Sequence, residues 1–142
     1  MHVKILLPVD GSDYTKRMLS YIAAHDELLG AGHEYTVFTA VLPIPPHAAR
    51  FLDRSAVDDY YRDQAEQVLK PVRMFADQQG WKVRVAHGPG HAAEAIAALA
   101  EAERPDLIVM GTHGHSALGN VVLGSVATGV LARCKVPVLL IR

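Results

Sequence analysis

Short apolar runs rich in β-branched residues alternate along the chain with longer stretches in which apolar positions recur every three or four residues. That order is the sequence form of repeated βα units. The strands are predicted at Val3 to Val9, Tyr35 to Leu42, Lys82 to His87, Leu107 to Met110 and Val136 to Ile141. Several are nearly continuous in Val, Ile and Leu, which suits a sheet buried on both faces. Four helices are predicted between them. The first begins near Ser12 or Asp13 and stops at Gly30-Ala31-Gly32, with Met18, Ile22 and Leu29 on one face. The second spans Val57 to Gln79 and is ended by Gly80. Pro71 lies inside its pattern, removes a backbone donor and crowds the preceding turn, so a kink or break is expected there. The third runs from His91 to Glu103 and packs through Ala93, Ile96, Ala97 and Ala100, small residues that allow close approach to the sheet. The fourth follows Gly124-Ser125 and runs to Cys134, with Ala127, Val130, Leu131 and Cys134 inward. Between the second strand and second helix, Pro43 to Ser55 reads as irregular and mobile, because its prolines disfavour both helix and central strand.

Parallel strands joined through helices need right-handed crossovers, which place helices on both faces of the sheet. The predicted fold is therefore a doubly wound α/β domain with a five-stranded parallel sheet. In such sheets ligands bind beyond the carboxyl ends of the strands, where the strand order reverses. Two loops gain interest on that ground: the one after the first strand and the one after the fourth.

Composition narrows the function classes. The 142 residues, half of them hydrophobic, make one domain covering 1–142, with no repeat and no composition shift. With 14 basic and 15 acidic side chains and no block of like charge, the chain has no electrostatic footprint for nucleic acid or anionic lipid. No apolar run approaches the ~18 residues of a membrane span, and the apolar stretch after Met1 is too short for a signal peptide. A single cysteine, Cys134, forms no intrachain disulfide. A reducing, cytoplasmic setting is expected.

The loop after the fourth strand reads Gly111-Thr112-His113-Gly114-His115 and continues to Gly124-Ser125 at the start of the last helix. Its glycines are expected to let the backbone turn with positive φ and approach a ligand with no Cβ in the way. Unpaired N–H groups and the positive dipole end of the helix favour an anion there. The Ser125 hydroxyl can donate to a phosphate oxygen or hold a metal; the plainer reading makes Ser125 a helix N-cap. After the first strand, Asp10 is either a turn residue or an acceptor for a ribose hydroxyl or an adenine amino group.

Other patterns carry less. His113 and His115 form an H-x-H pair with no carboxylate or thiolate beside it, a poor zinc site. No G-x-S-x-G nucleophile turn and no P-loop is present. Gly88-Pro89-Gly90-His91-Ala92-Ala93 fits a dinucleotide-binding pattern. It follows the third strand, where the crevice is not expected, so Gly88 and Gly90 are read as turn glycines. Cys134 is read as packing.

Together the two loops resemble those of the universal stress protein family, whose ATP-binding members carry G-x2-G-x9-G-[S/T]. Gly111, Gly114, Gly124 and Ser125 match it at every position. Ile5 to Ser12, Asp106 to Gly114, Leu123 to Ala127 and Pro137 to Ile141 extend the likeness along nearly the whole chain. The resemblance implies strand order 3-2-1-4-5 and a nucleotide-binding stress-response module. It implies that Pro8, Val9 and Asp10 line an adenosine pocket, that the Val41 backbone bonds the adenine edge, and that Gly111 lies by the ribose, with Met110, His113 and His115 also among the nucleotide-binding residues. Gly114, Gly124, Ser125 and Val126 would then hold the phosphates of ATP, AMP or another adenine nucleotide, with Mg²⁺ or Mn²⁺ bridging phosphate oxygens. It further implies a homodimer through the last strand, whose apolar, proline-bearing edge needs covering. One departure stands out: relatives often have Arg or Lys just after the second glycine, where this chain has His115. ATP affinity is accordingly expected to strengthen as falling pH protonates His115. Two other readings are a slow ATPase or self-phosphorylating enzyme, with Ser125 or Thr112 as acceptor, and a dimeric interaction protein without nucleotide. No general base stands out for the first, and the intact glycines oppose the second.

Overall fold

The computed structural model describes residues 2–115 and 120–142. Residues 116–119 of the glycine-rich loop lie outside the described residues. The elements are β1 (Lys4–Pro8), α1 (Asp13–Ala24), β2 (Glu34–Val41), α2 (Pro46–Ala49), α3 (Arg54–Gln79), β3 (Lys82–Pro89), α4 (Ala92–Glu103), β4 (Leu107–Gly111), α5 (Ser125–Arg133) and β5 (Val138–Ile141). The five strands form one parallel sheet in the order β3-β2-β1-β4-β5. The chain reverses direction across the sheet between β1 and β4, so the crevice opens at their carboxyl ends.

Strand alternation divides the core into two layers. Ile5, Leu7, Val9, Val37 and Val109 point to one face, against Met18 and Ile22 of α1 and Leu69 and Val72 of α3. Leu6, Phe38, Ile108 and Met110 point to the other, against Ile96 and Ala100 of α4 and Ala127 and Val130 of α5. Each fully buried aliphatic side chain contributes roughly 1.5–3 kcal/mol. A Cβ on Gly129 of α5 would stand 2.5 Å from Ala93 Cβ, so small residues bring α4 close to α5 as well as to the sheet.

Several sequence expectations are corrected. The first helix ends at Ala24, not at Gly30. Asp26 and Glu27 oppose the negative dipole end of a helix that continued. Leu29 still reaches the core from the following turn, because the Tyr35 hydroxyl receives the Gly30 N–H and donates to the Gly30 carbonyl, both at 2.7 Å. The helix over Pro71 is unbroken and starts earlier, at Arg54, where Asp53 Oδ1 caps the Ala56 N–H at 2.7 Å. Pro71 lies on the exposed side of α3. Docking of Ala65, Leu69, Val72 and Ala76 compensates for the missing donor. The stretch expected to be irregular contains a fifth helix, the short α2, with Pro46 at its first position. Its start is tied down by the Ile44 N–H, which donates to the Tyr61 hydroxyl at 3.0 Å. The last strand begins at Val138, with Pro137 just outside it. Leu131 is 47% exposed rather than inward, whereas Cys134 packs against the second layer.

Candidate functional site

A cavity of about 370 Å³ opens at the carboxyl ends of β1 and β4. Of the residues singled out from sequence, Pro8, Val9, Asp10, Met110, Gly111, His113, Gly114, His115, Gly124, Ser125 and Val126 line it. Val41 is not among the lining residues. Its side chain lies in the α1/α3 layer, and its carbonyl accepts the Gly90 N–H at 2.9 Å.

Thr112, named as an acceptor in the enzyme reading, also lines the cavity, whereas sequence reasoning did not pick out Thr15, Phe38, Ala40, Ala92, Ile96, Val121 and Ala127 as lining residues. Strand parity could have found Phe38 and Ala40, which alternate with Val37 and Val41 and so face the α4 side. Ala92 and Ile96 lie one helical turn apart on α4. The turn after β3 therefore leads directly into the cavity wall, contrary to the expectation that it stood away from the crevice. Gly90, at φ 138°, is a turn glycine as expected, whereas Gly88 lies within β3, paired with Ala40.

The loop glycines serve a purpose other than positive φ. Gly111, Gly114 and Gly124 are all outside the left-handed region, which Gly11, Gly30, Gly80 and Gly90 occupy. They are small because neighbours press on them. A Cβ on Gly111 would stand 2.7 Å from Tyr14 Cβ, and one on Gly124 would stand 3.0 Å from the Thr112 carbonyl oxygen and 3.1 Å from His113 Cα. A Cβ on Gly114 would collide with Asp10 Oδ2. The three glycines thus let the loop after β4 fold tightly onto itself, α1 and the turn after β1.

Gly124 rather than Ser125 is the N-cap of α5, at φ −68° and ψ 162°. Its N–H donates to the Thr112 carbonyl at 2.7 Å, and its carbonyl accepts the first helical bond, from the Thr128 N–H at 3.0 Å. The N–H groups of Ser125, Val126 and Ala127 precede that first bond and have no partner within the helix. Among the described residues no side chain caps them, and Ser125 is exposed on the cavity rim. Opposite stands Asp10. Its Oδ1 accepts the Ser12 N–H at 2.9 Å and the Thr15 hydroxyl at 3.0 Å, leaving Oδ2 beside Gly114.

Both histidines hold backbone. His113 Nε2 donates to the Val121 carbonyl at 2.6 Å while its Nδ1 accepts the Thr112 hydroxyl at 2.8 Å. His115 Nε2 donates to the Asp10 carbonyl at 2.6 Å, joining the two loops across the crevice. Among the described residues, no Lys or Arg lines the cavity, and no group of three or more His, Cys, Asp and Glu is placed to hold a metal ion.

The family model for the universal stress protein family matches residues 1–142. A universal stress protein of Thermus aquaticus is 34% identical over 142 residues, all of both chains. The solved structure of MJ0577 of Methanocaldococcus jannaschii superposes with a TM-score of 0.81 at 26% identity, covering 99% of this chain and 96% of that one. More distant structures share the fold. One is a universal stress protein in complex with cAMP (TM-score 0.65, 23% identity, 99% and 96% covered). Another is that of Archaeoglobus fulgidus in complex with dAMP (TM-score 0.68, 20% identity, 99% and 98% covered). By a match over its whole length and by a fold shared with solved members, the chain belongs to the universal stress protein family.

Proposed function

We propose that the cavity at the ends of β1 and β4 binds an adenine nucleotide, ATP in particular, and that the protein is a regulatory module of the cytoplasm rather than an efficient enzyme. One observation carries this reading. N–H groups at the start of α5, unpartnered among the described residues, share a single cavity with a fixed carboxylate oxygen, and apolar walls from Phe38, Ala40, Met110 and Ile96 border the same space. The walls suit a base, and the helix terminus suits phosphate. Relatives of the same fold hold cAMP and dAMP, which supports an adenine ligand.

The charges set the orientation. Asp10 Oδ2 lies against Gly114, so a phosphate at Gly114 would meet a like charge, whereas the N–H groups of Ser125 and Val126 and the Ser125 hydroxyl offer donors at the start of α5. The phosphates therefore belong at α5 and the nucleoside at β1. Mg²⁺ or Mn²⁺ would arrive with a triphosphate and neutralise part of its charge, with the Ser125 hydroxyl as the chain's own oxygen donor. A homodimer through β5, an edge strand of the sheet, completes the proposed module.

Denaturing freshly purified protein and identifying the released nucleotide tests occupancy, and calorimetric titration with MgATP, AMP and adenosine tests the two halves of the site. Adenine nucleotides are expected to bind more tightly than adenosine. Equal or absent binding of all three would refute the assignment, and rapid release of label from γ-labelled ATP would favour the enzyme instead.

A further inference from the structure

Asp10 is held in a closed ring of hydrogen bonds. Its N–H donates to Thr15 Oγ1 at 3.1 Å, and the Thr15 hydroxyl donates back to Asp10 Oδ1 at 3.0 Å. The Ser12 N–H donates to the same Oδ1 at 2.9 Å, and His115 Nε2 holds the Asp10 carbonyl from the facing loop at 2.6 Å. Among the described residues every polar atom of Asp10 except Oδ2 is thereby engaged, and Oδ2 lies against Gly114 on the cavity lining. Thr15 is 6% exposed. Among the described residues, its hydroxyl makes both of its hydrogen bonds, one donated and one accepted, to this one aspartate.

We propose that Thr15 is a positioning residue for ligand recognition: by fastening Oδ1 it presents Oδ2 alone to the cavity, as acceptor for an N–H or O–H donor on the uncharged nucleoside part of the nucleotide. This rests on the proposed nucleotide site and adds a selectivity to it. Among the described residues no cation pairs with Asp10. An ionised, unpaired carboxylate forms strong hydrogen bonds with neutral donors and repels phosphate. Without the Thr15 hydroxyl only the Ser12 N–H holds Oδ1, which leaves the Asp10 carboxylate less fixed, and binding must then order it. The ring thus converts a turn residue into a fixed acceptor.

Dissociation constants of AMP, adenosine, 2′-deoxy-AMP, 3′-deoxy-AMP and the 5′-monophosphate of purine riboside, measured by calorimetry on wild type, Thr15→Val and Thr15→Ser, test this. Wild type is expected to bind AMP about ten-fold more tightly than whichever analogue lacks the donor that meets Oδ2, which identifies that donor as an amino group or a hydroxyl. Thr15→Val should bring that ratio close to one while the preference for AMP over adenosine, set at the α5 end, persists. Thr15→Ser should restore the ratio. Thr15→Ala gives the same readout should a thermal melt show that the valine variant is unfolded. A hydroxyl-free variant that weakens all five ligands equally and keeps the ratio would overturn the positioning role, as would a wild-type ratio of one. Wild type that binds none of the five overturns the nucleotide assignment and this inference together.

Discussion

The two ends of the sheet treat their polar groups in opposite ways. At the amino end, loops close on themselves. Tyr35 clamps both backbone groups of Gly30, Asp106 Oδ2 accepts the Lys4 N–H at 2.8 Å, and the Val3 N–H donates to His33 Nδ1 at 3.1 Å. At the carboxyl end, donors and acceptors remain open around a cavity among the described residues: the first turn of α5, the Ser125 hydroxyl and Asp10 Oδ2. Unsatisfied polar groups next to an apolar space are costly unless water or a ligand completes them. The amino end is built for stability, and the carboxyl end keeps part of its hydrogen-bonding capacity for something else.

The hardest challenge to that division is a substitution at the open end that acts on stability. Gly111→Val would press on Tyr14 Cβ and on backbone atoms 3.3–3.4 Å from the new Cβ, and is expected to cost about 3 kcal/mol in urea unfolding. A neutral result would mean that the loop glycines are not there to admit their neighbours. Next in size, Tyr35→Phe strands the buried Gly30 N–H and carbonyl and should cost about 2 kcal/mol without changing nucleotide affinity.

The same tyrosine sets a pH dependence. Burial pushes the Tyr35 phenol up, the bond to Gly30 pulls it partly back, and Asp26 adds to the rise. The folded state thus keeps a proton that the unfolded chain gives up near pH ~10. That contribution is complete below the ordinary tyrosine range and is lost as pH rises through the raised value. Unfolding curves at alkaline pH should therefore show a shallower decline for Tyr35→Phe than for wild type.

Smaller effects belong to binding. Ser125→Ala is expected to weaken nucleotide binding about ten-fold while leaving stability within about 0.5 kcal/mol, since the hydroxyl caps nothing. Smallest is His115→Ala, which frees the Asp10 carbonyl and should change affinity by about three-fold. Matched titrations either side of neutrality with this variant also test whether His115 protonation strengthens ATP binding. An identical pH slope in variant and wild type would remove the histidine from that role.

Much of this was legible in the sequence because parallel strands announce themselves as apolar runs, and the reversal of strand order then points to two particular loops. Glycine spacing located the loop after β4 but misattributed the reason, since pattern alone does not show that Tyr14, Asp10 and the loop's own backbone press on those positions. Helix ends were less legible. The burial of Leu29 beyond the early stop at Ala24 depends on Tyr35 reaching back to Gly30, a tertiary contact. The unbroken helix over Pro71 depends on burial of its other face. The Asp10–Thr15 ring was hidden for a related reason: a threonine five positions downstream signals nothing until the turn brings it back.

The flanks of the sheet are unequal in a way that bears on assembly. The outer strand β3 carries Lys82, Arg84 and His87 exposed, side chains that discourage a second sheet from adding there, whereas β5 offers the half-buried Val138, Leu139 and Leu140. Were copies to join through the β5 margin, as proposed, the margins left outward would carry the charged β3 side chains, and growth would halt at a pair rather than run on as a ribbon.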